Sequence, residues 1–308
     1  MAMRGHAGAV NALAFAPAGQ RLASAGADGT VRIWEERGGP GQVVLAHEGG
    51  ATEVAFSGGG GALYSAGADR GVRRFDIATG EARRLFEMPG AAGFLAISPD
   101  GKRVAAGGED GTVWVWEEGL GGARLLRGHS GAALGAAFSP DGRQIASGSR
   151  DHSVRIWDLS SGQARVAAVY GASSALFFLP AGGRLLSAGE GTGPRLIEAA
   201  TGSVEHLTHG HGGMITAVSL SPDGRRAASA GDDGTVLLWD LQSGERRVLG
   251  EHVGEVRAVA FSPDGRAVIS GGVDGVVRRW SDDLPHDPAA LRALLARAAP
   301  RAMTLTLR

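Results

Sequence analysis

The feature that most constrains this chain is a unit of about 41 residues that recurs along it. A Ser-Pro-Asp-Gly motif begins at Ser98, Ser139, Ser221 and Ser262. Tryptophans end an alternating apolar run at Trp34, Trp116, Trp157, Trp239 and Trp280. Self-similarity at a fixed period is typical of repeat architectures, in which each unit buries its apolar surface against its neighbours. The landmarks divide the chain into seven such units.

Each unit has the pattern of four short strands. A run such as VNALAF is followed by a turn, a run such as RLASAG, an Asp-Gly turn, a run such as TVRIW, and a last short run such as RRVLG. Asp-Gly between alternating apolar runs is a strong signal for a β-hairpin. A single four-stranded sheet leaves an apolar face uncovered, but a radial arrangement buries each sheet between two others. The sequence therefore predicts an all-β fold.

From about Gly5 to Trp280 these spaced motifs resemble WD40 repeats. The resemblance implies a seven-bladed β-propeller with four antiparallel strands per blade, forming a single domain over 1–308. The expected blades are 5–46, 47–87, 88–128, 129–169, 170–210, 211–251 and 252–308.

The resemblance also implies a buried, hydrogen-bonded tetrad of His, Ser, Asp and Trp in each blade. Complete sets are His6, Ser24, Asp28 and Trp34; His129, Ser147, Asp151 and Trp157; His211, Ser229, Asp233 and Trp239; and His252, Ser270, Asp274 and Trp280. The second unit keeps His47, Ser65 and Asp69 but has Phe75. The third has Met88, Ala106, Asp110 and Trp116, and the fifth has Val169, Ser187, Gly191 and Ile197. We expect blades 3 and 5 to be less regular, with other partners for Asp110 and Ser187.

The Ser, His and Asp residues indicate structure rather than catalysis. The set recurs in four units, always with a tryptophan, whereas a nucleophile is needed once and on a strained turn. His209 and His211 have no third residue at metal-ligand spacing, and the chain has no cysteine. We therefore predict a protein that is not an enzyme and has no metal and no cofactor.

Composition limits the possible partners. A net charge of −1 lacks the basic excess that binding to nucleic acid or an anionic membrane needs. No apolar run has the roughly 20 residues of a membrane span. Lys102 is the only lysine among many arginines, a bias typical of GC-rich bacterial genomes. We expect a cytoplasmic bacterial protein that binds neither nucleic acid nor membrane.

Propellers of this family usually bind partners on the face around the central channel, and the resemblance places particular positions there. The candidates are Glu109, Leu134, Arg150, Glu190, Met214, Thr216, Asp232, Glu255 and Arg257. They predict a mildly acidic surface that binds a protein or peptide with basic residues, as an interaction, sensor or scaffold module. The alternatives are a solvated face without a ligand, an enzyme that uses the channel, and a structural oligomerisation unit.

The last residues of the chain depart from the repeat. Only Met1 to Arg4 precede His6, which suggests too few residues for a strand, so the seventh unit lacks its fourth strand. Pro288 and the leucines Leu291, Leu294 and Leu295 predict a helix over about 287–299. The alternating Met303–Arg308 is then expected to be the outer strand of the last blade. This arrangement predicts a monomeric propeller closed without strand exchange, whose N-terminus is free to follow another domain of a larger signalling protein.

Overall fold

The computed structural model describes residues 2–35, 41–169, 171–207 and 210–281. Within these residues all the regular secondary structure is β-strand, and the 28 strands form seven four-stranded antiparallel sheets. The same residues contain no helix that is long and apolar enough to cross a membrane. We call the sheets blades 1 to 7 in chain order.

The strands of blades 1 to 4 follow the opening strand β1 (Ala2–Arg4). Blade 1 consists of β2 (Val10–Phe15), β3 (Arg21–Gly26), β4 (Thr30–Glu35) and β5 (Gln42–Ala46). Blade 2 consists of β6 (Ala51–Phe56), β7 (Ala62–Gly67), β8 (Gly71–Asp76) and β9 (Ala82–Glu87). Blade 3 consists of β10 (Leu95–Ile97), β11 (Arg103–Gly107), β12 (Val113–Glu117) and β13 (Ala123–Leu126). Blade 4 consists of β14 (Ala133–Phe138), β15 (Gln144–Ser149), β16 (Ser153–Asp158) and β17 (Ala164–Val169).

The remaining strands form blades 5 to 7. Blade 5 consists of β18 (Ser173–Phe178), β19 (Arg184–Gly189), β20 (Arg195–Glu198) and β21 (Val204–His206). Blade 6 consists of β22 (Ile215–Leu220), β23 (Arg226–Gly231), β24 (Thr235–Asp240) and β25 (Arg246–Glu251). Blade 7 consists of β26 (Val256–Phe261), β27 (Ala267–Gly272), β28 (Val276–Ser281) and, as its outer strand, β1.

The seven blades close into a ring. The first strand of each blade lies beside the first strand of the next, and β26 of blade 7 lies beside β2 of blade 1. Apolar side chains fill the space between neighbouring sheets; Ala23 and Val31 of blade 1, for example, share a core with Val54 and Leu63 of blade 2. Each sheet therefore buries both faces, which supplies the hydrophobic stabilisation that a single sheet could not obtain.

The antiparallel strands place the loops on two faces of the ring. The upper face carries the loops that enter each blade and the turns between its second and third strands. The lower face carries the other two turns of each blade, including the Ser-Pro-Asp-Gly turns. In those turns a buried serine hydroxyl donates to the aspartate two residues later, at 2.6 Å in Ser139–Asp141, and also accepts the N–H of Gln144 at 2.9 Å.

The prediction for the end of the chain was wrong about the seventh blade. Its outer strand is β1, which pairs with β28 through Ala2–Arg278, Met3–Val277 and Arg4–Val276. The Met3 side chain is buried in a core with Val10, Trp34 and Val277. Three residues suffice because the partner strand supplies the hydrogen bonds and Met3 supplies an apolar anchor. The N-terminal strand therefore closes the ring by joining the last blade. Along residues 276–278 of β28, β1 occupies the outer position that was predicted for Met303–Arg308.

The predicted helix is part of the same correction. It was expected to carry Met303–Arg308 to the outer edge of blade 7, and β1 removes that role. The part of the chain that the structure describes contains strands and no helix. The segments 287–299 and 303–308 themselves lie outside the described residues.

Blades 3 and 5 contain the shortest strands among those of blades 1 to 6. In blade 3, β10 has three residues and β13 has four. In blade 5, β20 has four residues and β21 has three. Most other strands have six residues, so the blades that lack most of the tetrad are also the less regular ones, as expected from the sequence.

Candidate functional site

The upper face is supported from below by hydrogen-bonded side chains that link its loops to the strands. In blade 1, His6 Nδ1 lies 3.0 Å from Asp28 Oδ1 and His6 Nε2 lies 2.6 Å from Ser24 Oγ. The Trp34 indole N–H donates to the same hydroxyl at 2.7 Å. Because a carboxylate only accepts, Nδ1 carries the ring proton and Nε2 accepts from the serine. These hydrogen bonds thus link the entry loop of blade 1 to its strands β3 and β4 and to the turn between them.

The same geometry recurs in three other blades. The distances from His Nδ1 to Asp and from His Nε2 to Ser are 3.0 and 2.8 Å for His129, 3.1 and 2.7 Å for His211, and 3.0 and 2.7 Å for His252. In each of these blades the tryptophan N–H donates to the serine at 2.7 Å. The structure therefore brings together all sixteen residues of the four predicted tetrads.

The histidines of these sets are neutral at physiological pH. Burial lowers the pKa of His6, and the hydrogen bond to Asp28 only partly opposes this effect. Burial alone would raise the pKa of Asp28, but hydrogen bonds from the Ala7 N–H and from Thr30 outweigh it and lower that pKa to about 2. A neutral histidine beside an ionised aspartate fits a structural network, since no proton transfer is needed to maintain it.

The incomplete sets are satisfied in other ways. His47 still bonds Asp69 and Ser65, both at 2.8 Å, although Phe75 replaces the tryptophan. In blade 5 the Ser187 hydroxyl pairs with that of Ser173 at 2.9 Å. In blade 3 the Asp110 carboxylate accepts the hydroxyl of Thr112 at 2.9 Å. These are the alternative partners that the sequence required.

The predicted binding residues differ in exposure. On the upper face, Glu109, Arg150, Glu190, Met214, Asp232 and Arg257 are exposed. Leu134, Thr216 and Glu255 are half-buried. All nine lie at loops or strand ends on the upper face, in blades 3 to 7.

Several polar side chains at this level link neighbouring blades instead of remaining free for a ligand. Thr216 of blade 6 donates to the Val256 carbonyl of blade 7. Arg257 of blade 7 lies 3.2 Å from Glu255 and 3.4 Å from Asn11 of blade 1. Thr216 and Arg257 therefore mainly hold neighbouring blades together, and they are less available to bind a partner.

The central channel is a cavity of about 290 Å³ lined by the first strands of the blades. Glu53 contributes a carboxyl group to it, and no hydrogen bond or ion pair of Glu53 is found within the described residues. Its side chain is half-buried, and burial raises the pKa of Glu53 to about 8. Sequence reasoning assigned no role to Glu53. The signal was its position, because the corresponding residues of other blades are Ala12, Ala217 and Ala258.

The comparison with known families agrees with this architecture. The family described as "WD domain, G-beta repeat" (WD40) matches residues 1–35, 89–117, 123–158, 202–240 and 244–281, which together exceed half of the chain. The chain belongs to the WD40 family. No curated protein matches the chain. The segments outside the WD40 matches include most of blades 2 and 5, whose tetrads are incomplete.

Membership of the WD40 family has two general consequences. WD40 propellers serve as scaffolds that bind protein partners, and they are generally non-catalytic. Among the described residues, no group of three or more His, Asp or Glu side chains could hold a metal ion.

Sequence reasoning missed a hydroxyl in three of the WD40 tetrads. Thr30, Ser153 and Thr235 each donate to the tetrad aspartate, at 2.8, 2.6 and 2.8 Å. Each hydroxyl also lies within 3.2 Å of the histidine Nδ1. The signal in the sequence was the recurrent hydroxyl residue two positions after the aspartate.

It also missed an apolar patch on the upper face, which we define as Met214, Val253 and Val273. Their exposed fractions are 57%, 79% and 40%. Val253 and Val273 lie on loops that touch, because a Cβ placed on Gly254 would be 2.8 Å from Val273 Cγ2. Met214 lies on the same face, in the loop that leads into the neighbouring blade 6. The patch is formed by three separate loops, so no run of sequence reveals it.

Proposed function

We propose that this chain is a non-catalytic interaction or scaffold module that binds a protein or peptide partner on its upper face, around the central channel. The observation that supports this proposal most directly is the upper-face apolar patch of Met214, Val253 and Val273. Five other large apolar residues are exposed in the described chain. One is Leu120, in a turn of the lower face, and the other four lie singly on outer strands of different blades: Val43, Leu125, Val166 and Val248. Apolar side chains that cluster on one face favour a contact surface, whereas single ones are ordinary.

The charges beside the patch favour a partner with basic residues. Asp232 is exposed in the turn between the second and third strands of blade 6. Its backbone N–H donates to the carbonyl of Met214 at 3.1 Å, so this acidic residue is adjacent to the patch. Glu109 and Glu190 add exposed carboxylates in blades 3 and 5. A Lys or Arg of the partner near these acids would favour encounter and orientation, while the patch would supply apolar contact.

The wider setting is part of the same proposal. We infer a monomeric propeller that acts in the cytoplasm, in a bacterial signalling protein. The nearly neutral net charge of −1 favours selective protein contacts over general binding to polyanions.

The proposal can be tested by capture of partners from a lysate of the source organism. The double variant Val253→Ser, Val273→Ser removes most of the patch. The matched control Val166→Ser, Val248→Ser removes two valines of similar exposure from the outer strands β17 and β25. We expect a specific partner to be captured by the wild-type chain and by the control, and to be reduced about tenfold or more with the patch variant.

The acidic part is tested separately by the triple variant Glu109→Lys, Glu190→Lys, Asp232→Lys. We expect this variant to weaken the same partner and to reduce the salt dependence of its binding. A partner captured equally by the patch variant, the control and the wild type would show that the upper face is not the binding surface.

A further inference from the structure

A cavity lies on the lower face, between blades 3 and 4, far from the upper-face patch. It has a volume of about 550 Å³. One wall is the turn after β12, from Glu117 to Gly122, with Arg124 at the start of β13. The other wall is formed by Arg143 and by the turn of 158–160 after β16. We call this cavity the lower-face groove.

The groove is open because the turn of blade 3 departs from the repeat. In blade 4 the corresponding turn begins with Asp158, whose carboxylate accepts the N–H groups of Ser160 and Ser161 at 3.0 and 2.8 Å. Blade 3 has Glu117 at this place, and Glu117 instead pairs with Arg103 at 3.2 Å.

Glycines at 119, 121 and 122 leave this turn with almost no side chains. A Cβ added at any of the three would meet no heavy atom within 4 Å. Leu120 stands between them with 61% of its surface exposed, the largest exposed fraction of an apolar side chain on the lower face within the described residues. The wall therefore combines free space with one solvent-exposed leucine.

One cationic group of the groove, Arg143, is available to a ligand, whereas Arg103 and the acidic groups are engaged. Arg143 is exposed, and its side chain makes no hydrogen bond or ion pair within the described residues. Arg124 donates one N–H to the Leu159 carbonyl of the opposite wall. Glu117 and Asp158 already use their carboxylates for Arg103 and for the blade 4 turn. The free charge in the groove is thus positive.

We propose that the lower-face groove binds an extended segment of a partner protein in which an acidic residue lies next to a large apolar one. The apolar side chain packs on Leu120, Val115 and Leu159, and the carboxylate pairs with Arg143. Guanidinium groups form paired hydrogen bonds with carboxylates, which supplies direction as well as attraction. The volume is within the range of pockets that hold a few side chains.

This site would make the propeller bivalent. Its upper face carries acids beside an apolar patch, and its lower-face groove carries arginines beside an exposed leucine. The two surfaces therefore select partners of opposite charge, and one ring could hold both at once.

The probe for this site is a random library of seven-residue peptides, displayed on phage and selected on the full chain. The variants are Arg143→Glu, Leu120→Ser and, as a matched control, Arg225→Glu. Arg225 occupies the same position of the Ser-Pro-Asp-Gly-Arg turn in blade 6 and is also exposed, but it does not line the groove. All three positions are exposed, so the variants should unfold at the wild-type temperature.

We expect the selected peptides to combine Asp or Glu with Leu, Ile, Phe or Met. Synthetic copies should bind Arg143→Glu and Leu120→Ser about tenfold or more weakly than wild type, and Arg225→Glu equally well. They should also bind the upper-face variant Val253→Ser, Val273→Ser with unchanged affinity, which separates this site from the proposed upper-face function.

Three results would overturn the proposal. One is selection of peptides without an acidic residue, or of none at all. Another is an equal effect of Arg143→Glu and Arg225→Glu on peptide binding. The third is displacement of the peptide by free octanoate at equal concentration, which would assign the groove to small amphipathic carboxylates instead of a protein segment.

Discussion

Glu53 places a carboxyl group at a position where the inner strands of the other blades have small or apolar residues. The corresponding residues are Ala12, Phe94, Gly135, Ala175, Ala217 and Ala258. Small residues suit this position because neighbouring inner strands approach each other around the channel. Glu53 is half-buried at the channel, without a partner in the described residues. Such burial disfavours the ionised form.

The substitution Glu53→Gln should therefore stabilise the protein at alkaline pH. Burial raises the pKa of Glu53 from 4.5 to about 8, so the folded chain keeps the proton where the unfolded chain has lost it. The free energy of unfolding of wild type thus loses a contribution as pH rises from about 4.5 to about 8. We expect the variant to be more stable than wild type by about 1–3 kcal/mol near pH 8, and about as stable as wild type near pH 4.5.

Urea denaturation followed by tryptophan fluorescence at several pH values measures this difference. Glu198→Gln, a change at a half-buried glutamate on β20 away from the channel, is the control and should show no such trend. A difference between Glu53→Gln and wild type that does not change with pH would contradict the assignment of this carboxyl as protonated.

At the scale of elements, the shortest strands decide how the ring is closed. The strand β1 has only three residues, yet it joins the N-terminal segment to blade 7 by hydrogen bonds, in addition to the packing of β2 against β26 and β27. Its central residue, Met3, is 6% exposed and packs with Val10, Leu22, Trp34, Ile269 and Val277 from both blades. One side chain therefore contributes to the core of the first and the last blade together.

We expect Met3→Asp to destabilise the protein by about 2–4 kcal/mol, because it removes apolar burial and places a charge in the core. The neighbouring exposed residue provides the control, since Arg4→Asp changes the charge of the same strand but buries nothing. Thermal unfolding measures both variants. If Met3→Asp unfolded at the same temperature as Arg4→Asp, the strand β1 would not be what holds blade 7 closed.

At the scale of the whole molecule, five histidines with the same environment make the ring sensitive to acid. Burial lowers the pKa of each of them below 6.5, against the opposing effect of the partner aspartate; they are His6, His47, His129, His211 and His252. Each therefore binds a proton less readily in the folded ring than in the unfolded chain. Because they occupy five of the seven blades, their contributions accumulate over the ring.

The free energy of unfolding should fall as pH decreases below about 6.5, because these histidines bind protons in the unfolded chain more readily than in the folded ring. Urea denaturation at neutral pH and at pH about 5 measures the fall. In His129→Gln this fall should be smaller than in wild type, although the variant is less stable at neutral pH. His152→Gln, which changes an exposed histidine outside every tetrad, should keep the full fall. Equal pH dependence of both variants would contradict the role of the tetrads.

The repeat, the number of blades and the tetrads could be read from the amino-acid sequence alone. These features depend on spacing inside one unit, such as the separation of 18 positions from His129 to Ser147, and the same spacing recurs in other units. It also indicated which blades would be irregular, because Ala106 and Ile197 remove members of the network. Local patterns of this kind are readable because the hairpins that carry them are local.

The closure of the ring and the location of its surfaces depend on tertiary contacts. A three-residue strand has no recognisable pattern of its own, and β1 is a strand only because β28, more than 270 residues away in the chain, pairs with it. The upper-face patch joins loops of two blades, and the lower-face groove joins turns of two others. The unpaired burial of Glu53 likewise depends on the neighbouring blade. Such features arise from contacts between distant segments, whose geometry no local pattern of residues encodes.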